Sequence, residues 1–136
     1  EKLRWGDVDI KQKHVTIDAA ASKVRRRRTV PINKTASAWL NVCKRGKAKD
    51  RITPGRTTLR RRRRALRDKT GMEWSQDLLR HTAASYLLQE HQDAPRVAHW
   101  LGNSARILEG KYKNIVTPAD CKKFWALTPN AIKEDK

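Results

Sequence analysis

Apolar residues repeat at helical spacing along most of this 136-residue chain and alternate with polar ones in one short region. HVTIDAA (14–20) sets Val15 and Ile17 between polar neighbours, the period-two pattern of a half-buried strand. RRRTVPI (26–32) suits its antiparallel partner, with Pro31 fitting an edge or a strand end, and Lys23 falls near the tip of the hairpin between them. The opening EKLRWGDVDI (1–10) reads as the last turn of a helix carrying Leu3 and Trp5, entering a turn at Gly6. KTASAWLNVCKRG (34–46) has Ala36, Trp39, Leu40 and Cys43 at helical spacing, with Gly46 as a stop. In TTLRRRRRALRDKTG (57–71), Leu59 and Leu66 stand seven apart and Gly71 can end the helix.

QDLLRHTAASYLLQEH (76–91) follows Ser75 as N-cap, with Asp77 in a first turn that favours a carboxylate and Leu79, Ala83, Tyr86 and Leu87 as its apolar positions. APRVAHWL (94–101) starts on Pro95 and stops at Gly102. SARILEGKY (104–112) and PADCKKFWAL (118–127) supply two more helices. The pattern predicts a mainly α domain with a small antiparallel β hairpin or sheet, an α+β fold. Its parts are a helix end plus hairpin over 1–33, a helical core over 34–128 and a flexible tail over 129–136.

Charge changes this picture more than composition does. Lys and Arg number 32 against 14 Asp and Glu, a formal +18, and such a field attracts a polyanion. Nucleic acid is the expected partner, since phosphates neutralised by Lys and Arg release condensed counterions. Arg25, Arg26, Arg27 and Arg28, the run Arg60, Arg61, Arg62, Arg63 and Arg64, and Lys111 and Lys113 are the candidate DNA contacts. Five successive arginines cannot all face one way on a helix that turns about 100° per residue. A basic protein of RNA or the ribosome is a weaker alternative.

No apolar run approaches the roughly 20 residues of a membrane helix. Cys43 and Cys121 lack CxxC spacing, and His14, His81, His91 and His99 make no ligand pattern. No metal, cofactor or small-molecule substrate is expected, and both cysteines read as reduced thiols of a cytoplasmic protein.

Taken together, SKVRRRRTVPI, LLRHTAASYLL, LGNSARILEGKY and FWALTP resemble the catalytic domain of the tyrosine recombinases, the phage integrase family, over nearly the whole chain. Arg80, His81 and Thr82 match the family's LRHT box. Asn103 follows Arg80 by 23 residues and Tyr112 follows Asn103 by nine, the separations usual in that family. The resemblance implies site-specific recombination, in which a tyrosine attacks a DNA phosphodiester, forms a 3′-phosphotyrosyl link and releases a 5′-hydroxyl. It implies double-stranded DNA as the partner, a phage, mobile-element or bacterial source, and self-association on DNA.

It also assigns roles. Tyr112 matches the nucleophile, although its residue type alone reads as a core aromatic. Arg80 matches a phosphate-binding arginine, whose fork can bridge two oxygens. Lys23 matches the hairpin lysine that protonates the leaving 5′-oxygen. His81, turned away from Arg80 by the helix, is expected to make a structural hydrogen bond.

Three positions depart from the family. Asp77 stands where His or Lys is common, and either repels a phosphate or orients Arg80. Asn103 stands in the usual LGH box and can donate a hydrogen bond but cannot act as acid or base. The first catalytic arginine precedes the stretch matching EKLRW, so these residues read as a truncated catalytic domain, inactive alone. The alternative is a noncatalytic, degenerate integrase remnant that binds DNA.

Overall fold

A computed structural model describes residues 3–21, 26–43, 46–75, 77–113 and 115–134. Three strands, β1 (Val8–Asp9), β2 (His14–Ile17) and β3 (Arg28–Pro31), precede seven helices. These are α1 (Lys34–Val42), α2 (Arg56–Thr70), α3 (Leu78–His91), α4 (Ala94–Leu101), α5 (Ala105–Tyr112), α6 (Pro118–Ala126) and α7 (Pro129–Glu134). The mainly α fold with a small antiparallel sheet is the one the sequence pattern predicts. None of the described helices is long and apolar enough to cross a membrane.

The sheet has one strand more than the expected hairpin. Its order is β1-β2-β3, antiparallel throughout, with Val15 opposite both Val8 and Val30. Pro31 sits at the end of the edge strand β3, where its missing N–H costs no ladder bond. Arg28 and Val30 are the half-buried residues of β3 while Thr29 and Pro31 are exposed, so strand alternation turns Arg28 toward the helices.

The opening is not a helix end. Residues 5–7 form a single 3-10 turn, and Arg4 bridges Arg51. Trp5 and Gly6 donate their backbone N–H groups to Asp50 and Ala48, and Leu3 accepts from Ile52. With these groups taken by residues 48–52, and Asp7 Oδ2 accepting the Arg4 N–H at 2.8 Å, no helical ladder can form there.

Local caps set most helix ends. Asn33 caps α1 by accepting from Ala36 N at 2.8 Å, and α1 ends at Val42, short of Gly46. Gly71 closes α2 in the left-handed conformation, the role glycine fills without steric cost. α3 departs from expectation at its start: Asp77, not Ser75, is the N-cap, with φ 59° and no capping bond from its side chain. The tail expected to be flexible holds α7, which packs on α1.

The core is the cluster of Ala84, Leu88, Ala94, Val97, Ala98, Leu108 and Tyr112, drawn from α3, α4 and α5. The buried face of α3 is therefore Ala84, Ser85 and Leu88, while Leu79, expected inside, is 61% exposed. α3 is also covered by α6 on another side: Tyr86 stacks on Phe124 with ring centroids 3.9 Å apart. A helix covered on two sides carries apolar residues around most of its girth, so periodicity alone does not fix its face. Phe124 and Trp125 thus pack within the chain, and the Trp125 carbonyl accepts from Thr35. Both cysteines are free thiols, Cys43 exposed and Cys121 buried. Burial pushes the Cys121 thiol up from its ordinary pKa, with Trp125 opposing the shift and Glu90 reinforcing it.

Candidate functional site

The candidate residues converge on the turn between α4 and α5. Gly102, at φ 67°, closes α4 with its N–H on Ala98 and His99, and Asn103 N donates to Ala98 O at 2.9 Å, the double bonding of a Schellman-type end. Ser104 then caps α5, accepting from Ile107 N at 3.4 Å. The chain thus reverses between the two helices and holds Asn103 at the apex.

Two guanidinium groups clasp this turn from outside it. Arg80 Nη2, on α3, donates to Leu101 O at 2.8 Å and to Asn103 Oδ1 at 2.7 Å. Arg28 Nε, on β3, donates to Trp100 O at 3.2 Å. The last carbonyls of a helix have no intrahelical donor and carry its negative dipole end, so both cations are favoured there. The fold therefore brings together Arg80 and Asn103, two of the candidates. Asp77 does not join them: it is exposed, and no ion pair links it to Arg80 among the described residues. The expectation that it orients Arg80 is not met, because Arg80 turns across to the α4 end instead.

A glycine is favoured at 102 on two counts. A Cβ there would lie 3.0 Å from the Arg28 guanidinium, and its left-handed backbone strains any other residue. Gly102→Ala is expected to lower unfolding stability by about 1–2 kcal/mol, measured as a lower urea midpoint with an unchanged slope.

Tyr112 stands on the last turn of α5, 7% exposed, within the core cluster. Its hydroxyl lies 2.6 Å from His81 Nδ1, with the two ring centroids 5.6 Å apart. The hydrogen bond expected of His81 is present, and its partner is the candidate nucleophile. His81 and Tyr112 line an open hollow of about 500 Å³ with Thr82, Ser85, Tyr86 and Lys111. Asn103 lines a different groove, of about 770 Å³, with Arg26, Arg27, Arg28, His99 and Ser104. The phenol and Asn103 thus line separate depressions, and the consecutive residues Arg80 and His81 bond to one each, Arg80 to Asn103 and His81 to Tyr112.

The arginine run of α2 lies elsewhere. Arg60, Arg61, Arg63 and Arg64 line a cleft of about 900 Å³ with Arg67 and Trp74, and Arg62 is exposed outside it. Arg63 lies over the Trp74 ring, 5.3 Å from its centroid. Arg67 and Trp74 were not among the sequence candidates; Arg67 was legible as the i+3 and i+4 continuation of Arg64 and Arg63 on one helix face, whereas Trp74 lies beyond Gly71 and had no periodic signal. Arg26, Arg27, Lys111 and Lys113 are exposed. Lys23 and Arg25 lie outside the described residues.

Compared with known families, residues 1–114 match the model of the phage integrase family. The crystal structure of XerA recombinase is similar in fold, with a TM-score of 0.58 over 92% of this chain at 18% sequence identity. This chain spans 50% of the length of that one. No protein of curated function matches the sequence significantly.

Proposed function

Because the chain belongs to the phage integrase family, we propose that it is the catalytic portion of a site-specific DNA recombinase that cleaves and rejoins strands through Tyr112. The observation that carries this reading is that Asn103 and Tyr112, which lie 23 and 31 residues along the chain from their partners, bond to the consecutive residues Arg80 and His81 of α3. In the reaction the Tyr112 oxygen forms a bond to phosphorus as the bond to the 5′-oxygen breaks. The phosphotyrosyl ester keeps the bond energy for rejoining, so neither nucleotide hydrolysis nor metal is required.

The residues present supply the needed charge. Arg80 commits Nη2 to the α4–α5 turn, and its Nε and Nη1 donors have no partner among the described residues. They are available to the nonbridging oxygens of a phosphate, held in place by the clasp. Asn103 accepts from Arg80 through Oδ1 and keeps its amide N–H donors for the same phosphate. Lys23 would protonate the leaving oxygen. Exchange between two duplexes needs more than one copy, so self-association on DNA is part of this reading.

The α2 cleft is the proposed track for the DNA backbone, its arginines contacting phosphates and Trp74 packing beneath Arg63. Duplex binding is therefore expected to weaken steeply with salt. Replacing Arg60, Arg63 and Arg64 together by alanine should reduce the slope of log affinity against log salt by roughly 2–3 units, about 0.9 for each phosphate that is no longer neutralised. Fluorescence anisotropy on a random-sequence duplex checks this; an unchanged slope would remove α2 from the interface.

The burial of Tyr112, in a hollow separate from Asn103, favours a second reading: a DNA-binding remnant that no longer cleaves. Covalent attachment to DNA separates the two. It is to be sought in the full protein that carries this chain, using a nicked duplex built on the sequence that the protein selects from a random pool.

A further inference from the structure

A phenol attacks phosphorus only as its proton leaves, and in water a phenol is a weaker acid than an imidazolium by about 3–4 pKa units. The acceptor must therefore lie within hydrogen-bond reach and take the proton as the new bond forms. His81 Nδ1, 2.6 Å from the Tyr112 oxygen, meets that condition. The other residues around the hollow offer hydroxyls, a second phenol and an ammonium, none of which accepts a proton readily near neutral pH. Asp77, at the start of α3, is exposed and has no contact with the phenol among the described residues.

The surroundings suit transfer rather than a sealed packing bond. Tyr112 is buried, so its ring is fixed by the core, whereas His81 is exposed. Nε2 of His81 has no partner among the described residues. When Nε2 carries the hydrogen, Nδ1 is the acceptor, and a proton gained at Nδ1 can be balanced by loss from Nε2 to water. Both groups stand on packed helices, α3 and α5, which fixes their separation.

We propose that His81 is the general base for Tyr112, an inference that rests on the reading of Tyr112 as nucleophile. Nδ1 takes the phenolic proton while the Tyr112 oxygen bonds to phosphorus. The bond from phosphorus to the 5′-oxygen breaks in the same step, and that oxygen takes its proton from the Lys23 ammonium or from water.

An arylsulfonyl fluoride tests this without DNA, because it esterifies a phenol efficiently only when a neighbouring base removes the proton. In the full protein, mass spectrometry should find Tyr112 labelled faster than Tyr86, the chain's other tyrosine. His81→Asn places a hydrogen-bonding oxygen near the position of Nδ1 but cannot take a proton. It should slow Tyr112 labelling by on the order of 10²-fold and leave Tyr86 unchanged. His81→Ala should be equally slow and be partly restored by added imidazole, a rescue that a purely structural histidine would not show. Tyr112 unlabelled in the unaltered protein, or labelled equally fast in His81→Asn, overturns the proposal. His81-dependent labelling with no covalent adduct on a bound duplex overturns instead the reading of Tyr112 as nucleophile.

Discussion

Tyr112→Phe is expected to abolish covalent attachment to DNA while leaving duplex binding within about twofold. The substitution deletes one oxygen and keeps the ring that packs with Val97 and Leu108 in the core. What the fold loses is the bond to His81, and a hydrogen bond of this kind contributes about 0.5–1.5 kcal/mol. The exposed His81 can replace it with water, which holds the loss near the lower end. Chemically the change is absolute, since no other group occupies the place of the phenol oxygen. A denaturing gel of the nicked duplex after incubation should show a slow-migrating adduct with the unaltered protein and none with Tyr112→Phe. Anisotropy on the same duplex should give matching affinities.

Arg80→Ala is expected to lower the rate of adduct formation by on the order of 10²- to 10³-fold, the usual cost of losing a donor that stabilises developing charge. Arg80 has a second task that makes it more exposed to substitution than a surface cation. Its Nη2 closes the α4–α5 turn through Leu101 O and Asn103 Oδ1, so removal also frees the Asn103 side chain to move. Arg80→Lys separates the two effects. It keeps the positive charge and hence most of the binding, but a single ammonium cannot hold the turn and fork a phosphate together. Single-turnover rates should place Arg80→Lys much nearer to Arg80→Ala than to the unaltered protein. A rate within a few-fold of normal would show that charge alone suffices.

What the sequence made legible follows from how local each signal is. Gly71, Pro95 and Gly102 mark helix ends through their own backbone chemistry, and all three act as expected. The spacing of Arg80, Asn103 and Tyr112 identified candidates, but not their partners, because those interactions close loops of 21 to 31 residues. Leu3 and Trp5 looked like a helix end because nothing in residues 1–10 announces the pairing with residues 48–52. The face of α3 was misplaced by the packing of α6 on its second side. Asp77 illustrates the same limit, since its charge and position suggested a partner in Arg80 that the fold assigns to the α4 end. The clasp by Arg28 had no local signal beyond a place in an arginine run. It became visible only when strand alternation turned that one member toward Trp100.

Whether Tyr112 attacks a DNA phosphodiester is decided by identifying the residue that carries DNA. The nicked duplex is incubated with the full protein, the adduct is digested with nuclease and protease, and the modified peptide is sequenced by mass spectrometry. A 3′-linked nucleotide phosphate is expected on the tyrosine of the peptide GKYK, residues 110–113. A nucleotide found on any other residue, or no adduct from a duplex shown to be bound, would contradict it.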